Sequence, residues 1–206
     1  MTRLGNGRQR AGHRLTTALV ALVAGGLPLA LATPAHAEGY SFRDRSGDAV
    51  LIDEAGVGTT ASDQAAGDVV GVAMAHTNTE IAVRVRLRAR MPATDWTLRV
   101  QIKTPRGPYA ANLGRSGRSG GLVLTRGPQD APQRCAGLRS RYLDATHQVI
   151  RVVVPRTCLQ RPSAVRVAVA AVVVPSEGRF FADDALLRDF VDPDRDLVYS
   201  PRLYRG

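Results

Sequence analysis

The feature that most constrains the fold is a pair of valine-rich runs in residues 147–174, separated by a short segment that contains a cysteine. In residues 149–154 an extended backbone would place apolar side chains on nearly both faces, which is typical of a strand inside a sheet. The density of β-branched residues in residues 164–174 favours a strand over a helix, although a buried helix is the alternative there. Pro155 and Pro162 bound the two runs because proline cannot donate to a ladder. We therefore predict two interior strands.

Short runs of alternating polarity recur along the rest of the chain, with turn-forming residues between them. Residues 81–90 alternate between apolar side chains on one face and alanine followed by four arginines on the other, and residues 96–104 repeat this pattern. Residues 54–67 and 114–121 are rich in glycine, and we expect loops there. These patterns predict an all-β chain folded as a single antiparallel β-sandwich of jelly-roll or immunoglobulin-like kind. An eight-stranded barrel is the alternative.

The first 37 residues have the pattern of an export signal. Four arginines precede an apolar stretch over residues 15–32, and small residues in an A-x-A pattern end at Ala37. A retained membrane anchor is the alternative, but glycine and proline interrupt the apolar stretch, which is short for a bilayer. We predict a signal peptide over residues 1–37, a single domain over residues 38–206, and a secreted protein without a stable membrane anchor.

The two cysteines, Cys135 and Cys158, both lie in the predicted mature chain. An even number of cysteines in an exported protein predicts one disulfide bond. A metal site built on them would need further ligands nearby, and only two histidines remain beyond residue 37. We therefore predict a Cys135–Cys158 disulfide.

The chain is basic, with a formal net charge of +10, and the predicted signal peptide carries four of its 28 basic residues and none of its 18 acidic ones. Three arginines on one strand would cover roughly 13 Å at about 3.3 Å per residue. If residues 81–90 and 96–104 paired as a hairpin, their basic faces would merge into a site for phosphates or carboxylates. A solvated sheet face is the alternative. The candidate anion-binding residues are Arg84, Arg86, Arg88, Arg99 and Lys103.

The carboxyl-terminal segment, residues 183–206, is locally acidic. Asp192, Asp194 and Asp196 alternate as the first ligands of a calcium loop do, but Leu197 stands where the turn glycine should be. A solvated acidic tail that pairs with nearby arginines is the interpretation we favour, so we expect neither a metal nor a cofactor. An alternative set of calcium ligands from the two ends of the chain is Asp44, Asp48, Asp183 and Asp184.

Residues 117–121 match the G-x-S-x-G pattern of a nucleophile elbow, but a glycine-rich loop precedes the serine and a strand follows it, where an elbow needs a strand and then a helix. His76 and His147 lie next to turn residues and have no recognisable nucleophile. We therefore predict that the protein is not an enzyme. Trp96 and Tyr109 could form part of a sugar-stacking platform, but a lone tryptophan at the start of a strand favours a place in the core.

Three segments have sequence patterns that also occur in a wider class of proteins. They are DRSGDAV at residues 44–50, GDVVGVAMAHTNTEIAVRVRLRA at residues 67–89, and VVVPRTCLQRPSAVRVAV at residues 152–169. On these segments the chain resembles small exported all-β proteins of GC-rich bacterial genomes, most of them uncharacterised. The resemblance implies the fold and export. It implies no activity, because it brings no catalytic residues with it.

Together these features predict a secreted, non-catalytic binding module that contacts an anionic cell-envelope polymer through its arginine-rich sheet face. The alternative is an extracellular protein-interaction or inhibitor domain that acts through its loops, including residues 114–121. A nucleic-acid ligand is disfavoured because the basic face lacks the interleaved aromatic residues that stack on bases.

Overall fold

The computed structural model describes residues 38–176, 178–187 and 196–206; the predicted signal peptide, Asp192 and Asp194 lie outside these ranges. The described residues contain no α-helix, and none of their helical segments is long and apolar enough to cross a membrane. A single four-residue 3-10 helix, η1, spans Arg156–Leu159. The strands are β1 (Glu38–Phe42), β2 (Val50–Ile52), β3 (Gly58–Thr60), β4 (Val69–His76), β5 (Glu80–Leu87), β6 (Asp95–Thr104), β7 (Gly107–Ser116), β8 (Ser119–Arg126), β9 (Ala131–Gln133), β10 (Arg139–Tyr142), β11 (Val149–Pro155), β12 (Ala164–Ser176), β13 (Arg179–Asp184) and β14 (Leu203–Tyr204).

The strands form two antiparallel sheets that pack face to face. Sheet I has the order β1-β4-β5-β11-β10, and sheet II has the order β3-β2-β13-β12-β6-β7-β8-β9, with β14 also paired to β12. The predicted all-β sandwich is confirmed.

One hydrophobic core lies between the sheets. Along each long strand every second side chain points inward, as the alternating polarity of the sequence predicted. Trp96 and Tyr109 belong to this core, so they cannot form an exposed sugar-stacking platform. Fully buried members of the core include Ile81, Val83, Val85, Leu98, Val100, Ile102, Ile150, Val152, Val154, Val167 and Val169.

The two valine-rich runs are interior strands, as predicted, but of different sheets. β11 lies between β5 and β10 in sheet I, and β12 pairs with β6 and β13 in sheet II. η1 connects them, and the guanidinium of the buried Arg156 donates to the carbonyl oxygens of Asn78 and Pro162, each at 2.7 Å. The connection between the sheets is therefore held by hydrogen bonds at both of its ends.

The prediction of loops over residues 114–121 and 54–67 is wrong in part, because both ranges contain strand residues. Residues 114–121 belong to the β7–β8 hairpin, whose turn begins at Gly117 with a φ of 57°. Gly114 permits the neighbouring strand to come close, because a Cβ there would lie 2.7 Å from the Trp96 carbonyl oxygen. Residues 54–67 contain the short strand β3, which pairs with β2. Both segments form strands despite the low strand propensity of glycine, because each pairs with a neighbouring strand. Local composition does not predict such pairing.

The predicted disulfide between Cys135 and Cys158 is present, with a Cα–Cα distance of 5.4 Å and a sequence separation of 23. It links the segment before the edge strand β10 to η1, which follows β11. On the chain-entropy model, closing a loop of this length stabilises a protein by roughly 3 kcal/mol.

Replacing both cysteines, as Cys135→Ser with Cys158→Ser, should lower the free energy of unfolding by roughly 3 kcal/mol. Urea unfolding of the variant and the wild type measures this difference. Intact-mass measurement provides the control, because the native chain should lack two hydrogens relative to the reduced form. Two freely alkylated thiols in the native protein would contradict the bridge.

Candidate functional site

The five candidate anion-binding residues do not share a face. β5 pairs with β4 and β11, whereas β6 pairs with β12 and β7, so the hairpin that would have merged their basic faces does not form. Instead the chain crosses from sheet I to sheet II between β5 and β6, through the buried Met91. Arg84 and Arg86 therefore lie on the outer face of one sheet and Arg99 and Lys103 on the outer face of the other.

On sheet II the two basic residues already have partners. Arg99 donates from both terminal nitrogens to the two carboxylate oxygens of Asp130, at 2.9 Å each. This bidentate bond lowers the pKa of the Asp130 carboxyl below its ordinary value. The Lys103 ammonium lies 4.1 Å from the centre of the Tyr199 ring, in a cation–π contact. Neither group is free for an external anion without giving up an internal contact.

On sheet I the neighbouring strands add arginines to the predicted stripe. Arg151 of β11 is directly opposite Arg84 of β5, and Arg141 of β10 is directly opposite Arg151. Adjacent strands are about 4.7–4.9 Å apart, so this cross-strand row of three arginines spans roughly 10 Å at the backbone. Arg151 and Arg141 were not among the predicted site residues. The signal available was position: Arg151 alternates with the inward-facing Ile150 and Val152.

We define the arginine face as Arg84, Arg86, Arg139, Arg141 and Arg151, which all point outward from sheet I. Its acidic neighbour is Glu80, whose two carboxylate oxygens lie 2.7 Å from Arg139 and 3.1 Å from Arg151. Within the described residues, the other three arginines of the face form no ion pair.

Protection of sheet edges does not account for this arrangement. Arginine on the edge strand β10 would discourage pairing with another chain, but Arg84 and Arg151 lie on interior strands. Like charges directly opposite one another across a ladder are destabilising. The opposed arginines on β5 and β11 therefore repel one another where no sheet edge needs protection.

Arg88, the last arginine of the predicted stripe, is directed away from this face. Its Nη1 donates to the Ser62 carbonyl oxygen at 2.7 Å and to the Asp68 carboxylate at 3.3 Å. Asp68 is completely buried, so this ion pair anchors Arg88 at one end of the sandwich. Arg88 belongs to a second cluster of charged groups.

We define the carboxylate cluster as Asp44, Asp48, Asp68 and Asp183. The first two lie in the β1–β2 connection, Asp68 immediately precedes β4, and Asp183 lies in β13. One oxygen from each of Asp48, Asp68 and Asp183 lies within 4.8 Å of the others. Relative exposures of 6% for Asp44, 0% for Asp68 and 2% for Asp183 show that these three are inside the protein, whereas Asp48 is half-buried.

The composition of this cluster differs from the set that the sequence suggested. Asp48 and Asp183 converge with Asp68, and Asp44 lies close enough to repel Asp183 without supplying an oxygen to that group of three. Asp184 accepts hydrogen bonds from the backbone N–H groups of Leu186 and Val198. Asp68 was missed because it immediately precedes an apolar strand, where no local pattern marks it as a partner of Asp183, more than 100 positions away.

The aspartates of the cluster have some oxygens that accept hydrogen bonds and others that have none. Asp44 Oδ1 accepts from the Arg45 backbone N–H at 2.8 Å, Asp68 Oδ2 from the Gly47 N–H at 2.7 Å, and Asp183 Oδ2 from the Val69 N–H at 2.6 Å. The buried atoms Asp44 Oδ2, Asp68 Oδ1 and both carboxylate oxygens of Asp48 have no partner among the described residues. Buried polar atoms without partners are rare and costly in native proteins.

Burial disfavours the charged forms of these aspartates. Burial raises the pKa of the Asp44 carboxyl to about 7, and the neighbouring carboxylates add to the rise by repulsion. Burial also raises the pKa values of Asp48 and Asp183 above the ordinary value for aspartate. The cluster therefore holds negative charge at the expense of stability.

A cleft of about 410 Å³ lies between β10 of sheet I and the β7–β8 hairpin of sheet II. Three arginines reach it, and one of them, Arg141, also belongs to the arginine face. Tyr142 borders the cleft and stacks on His147, with ring centroids 4.5 Å apart. The lining includes Leu113, Arg115, Arg118, Arg141 and Tyr142.

The groups considered for catalysis are not assembled. His76 is completely buried, and its Nδ1 lies 3.0 Å from the Leu203 carbonyl oxygen. His147 stacks on Tyr142. Ser119 is the first residue of strand β8, whereas the serine of a nucleophile elbow lies between a strand and a helix.

No family model, curated protein or solved structure matches the chain. The arginine face offers a positive surface that one carboxylate, Glu80, neutralises only in part, and the carboxylate cluster brings several acidic groups together away from solvent.

In a buffer with a chelator, the wild type should lose stability as the pH rises from about 5 to about 8. The pKa of Asp44 is about 7 in the folded state and 3.8 as its ordinary value, so stability present at low pH is lost as the carboxyl ionises. His76, whose pKa burial lowers, acts in the opposite direction below its ordinary value of 6.5.

Asp44→Asn isolates the contribution of this carboxyl, since asparagine keeps a side-chain oxygen for the Arg45 N–H and cannot ionise. Urea midpoints at the two pH values should fall more in the wild type than in the variant. An equal change in both proteins would contradict the raised pKa.

Proposed function

We propose that the protein is a secreted, non-catalytic binding module of the bacterial cell envelope that contacts an anionic polymer through the arginine face. The observation that carries the proposal is the cross-strand row of Arg84, Arg151 and Arg141. With Arg86 it forms a two-dimensional array of guanidinium groups instead of the single line that the sequence suggested. A polymer with regularly spaced phosphates or carboxylates is the ligand that such an array would fit.

The chemistry of the guanidinium group supports this ligand class. Arginine is always charged and presents donors in a planar fork that matches phosphate and carboxylate oxygens. Arg84, Arg86 and Arg141 have no carboxylate partner among the described residues, so their donors remain available. The rigid, hydrogen-bonded sheet beneath them keeps the spacing of the charges fixed, which reduces the entropy lost on binding.

The disulfide supports export, because such bonds persist in oxidising compartments. The burial of His76 and the stacking of His147 support a non-catalytic role, since neither histidine lies beside an activated nucleophile. A binding module also fits a surface whose charged residues are spread over several strands instead of converging in one pocket.

The test compares two triple variants that remove the same charge. In one, Arg84, Arg141 and Arg151 are changed to serine; in the other, three exposed basic residues of sheet II strands, Lys103, Arg126 and Arg179, are changed to serine. Cosedimentation with purified bacterial cell-wall material, and with inorganic polyphosphate as a defined anionic polymer, measures binding across a salt series. The first variant should lose most of the binding, and the second should retain most of it.

Binding by the wild type should weaken steeply as salt increases, because exposed charges are screened beyond roughly 8 Å at physiological ionic strength. The arginine-face variant should unfold at about the same temperature as the wild type, since the removal of opposed like charges offsets the loss of the Arg151–Glu80 ion pair. No binding at low salt, or an equal loss in both variants, would overturn the proposal.

A second candidate function is contact with an extracellular protein through the β7–β8 hairpin. The observation that favours it is the cleft beside this hairpin, where Leu113 and Tyr142 supply apolar surface next to arginines. Such a contact would depend on a few central side chains and would tolerate salt better than polymer binding. Binding that survives salt and the arginine-face substitutions, but is lost in Tyr142→Ala, would favour this function.

A further inference from the structure

The carboxylate cluster has an organisation that a solvated acidic patch does not need. Asp68 is completely buried, and its Oδ1 has no hydrogen-bond partner although its Oδ2 accepts from the Gly47 N–H and from Arg88. Asp44 has the same pattern, with Oδ1 bonded to a backbone N–H and Oδ2 without a partner. In both aspartates, hydrogen bonds to one oxygen fix the orientation of the carboxylate, and the other oxygen is available to an external ligand.

Charge is also unbalanced at this point. Arg88 is the one cation that forms an ion pair with the cluster among the described residues, and it contacts Asp68 alone. The remaining carboxylates would leave an excess of negative charge inside the protein. Buried carboxylates with no cation either bind a metal or take up protons.

We propose that Asp48, Asp68 and Asp183, with the Asp44 carboxyl beside them, bind one calcium ion at the end of the sandwich where the chain passes from β1 to β2. Calcium is bound by six to eight oxygens at about 2.3–2.6 Å, so two oxygens on opposite sides of the ion are roughly 4.6–5.2 Å apart. The three carboxylate oxygens of Asp48, Asp68 and Asp183 that lie within 4.8 Å of one another fit around one such ion.

Calcium fits this site better than magnesium. Magnesium requires oxygens at about 2.0–2.1 Å and usually keeps several waters, so it rarely occupies a site built of many protein carboxylates. Four aspartates from three separate segments, with Asp48 and Asp44 in an irregular connection, form the flexible and carboxylate-rich kind of site that calcium prefers.

The ion would join the two sheets. Asp183 belongs to β13 of sheet II, whereas Asp68 leads into β4 of sheet I, and the Val69 N–H already donates to Asp183 across this junction at 2.6 Å. Asp44 and Asp48 lie in the connection that carries the chain from β1 in sheet I to β2 in sheet II. Calcium would therefore stabilise the β1–β2 connection and the contact between the two sheets at this end of the sandwich.

Titration of the chelator-treated full-length mature protein with calcium chloride tests the site, by calorimetry and by thermal unfolding. The wild type should bind one ion per chain, with a dissociation constant in the range of about 0.1–1 mM known for extracellular modules or tighter. At ten times that concentration the unfolding temperature should rise by about 3–6 °C. Magnesium chloride at the same concentration should produce a smaller rise.

Asp48→Asn is the most informative variant, because the Asp48 side-chain oxygens have no hydrogen-bond partner on another described residue. It should bind calcium at least about 10-fold more weakly, since affinity follows the charge of the ligands. In chelator its unfolding temperature should equal or exceed that of the wild type, because one repulsive charge is removed. If the Asp48 side chain had only a structural role, Asp48→Asn would unfold at a lower temperature than the wild type in chelator.

Asp68→Asn should also lose calcium binding, and Asp63→Asn, in an exposed loop, is the matched control that should bind like the wild type. The absence of both heat and a thermal shift in the wild type at about 10 mM calcium, tenfold above the weakest constant expected, would overturn the proposal. Equal calcium binding by the wild type and Asp48→Asn would overturn it as well, since the ion would then bind elsewhere.

Discussion

The structure depends on the burial of two apolar sheet faces against each other. The inward valines, isoleucines and leucines of β5, β6, β11 and β12 are almost completely removed from solvent, and each such side chain contributes about 1.5–3 kcal/mol when fully buried. Because side chains alternate along a strand, every buried face carries an opposite face that is free to hold charge. The arginine face exists because β5 and β11 must present valine on their inner side.

The charged groups that cost stability are held by the parts of the fold that have stability to spare. Arg84 and Arg151 lie on interior strands bonded on both sides, and Asp183 lies at the end of β13, where Val69 of the opposite sheet donates to it. Interior strands keep Arg84 and Arg151 in register, whereas the carboxylates come from β13 and from the segments that precede β2 and β4. The hydrophobic scaffold thus offsets the electrostatic cost of the arginine face and of the carboxylate cluster.

Much of the fold could be predicted from the sequence. The alternation of residues 81–90, the valine-rich runs and the two cysteines determined the strands, the all-β class and the disulfide, because each depends on residues close together in the chain or on a single pairing. The site could be predicted only in part. Arg84, Arg86 and three members of the carboxylate cluster were identified, whereas Arg141, Arg151 and Asp68 were not.

Which strands become neighbours was decided only by the tertiary structure. Local alternation shows which side of a strand is apolar, but it does not determine which sheet the strand joins, because that choice depends on packing between segments far apart in sequence. β5 and β6 are consecutive and equally amphipathic, yet they lie in different sheets and separate Arg84 from Arg99. Residue type and spacing were thus determined locally, while the grouping of charges into sites came from long-range burial.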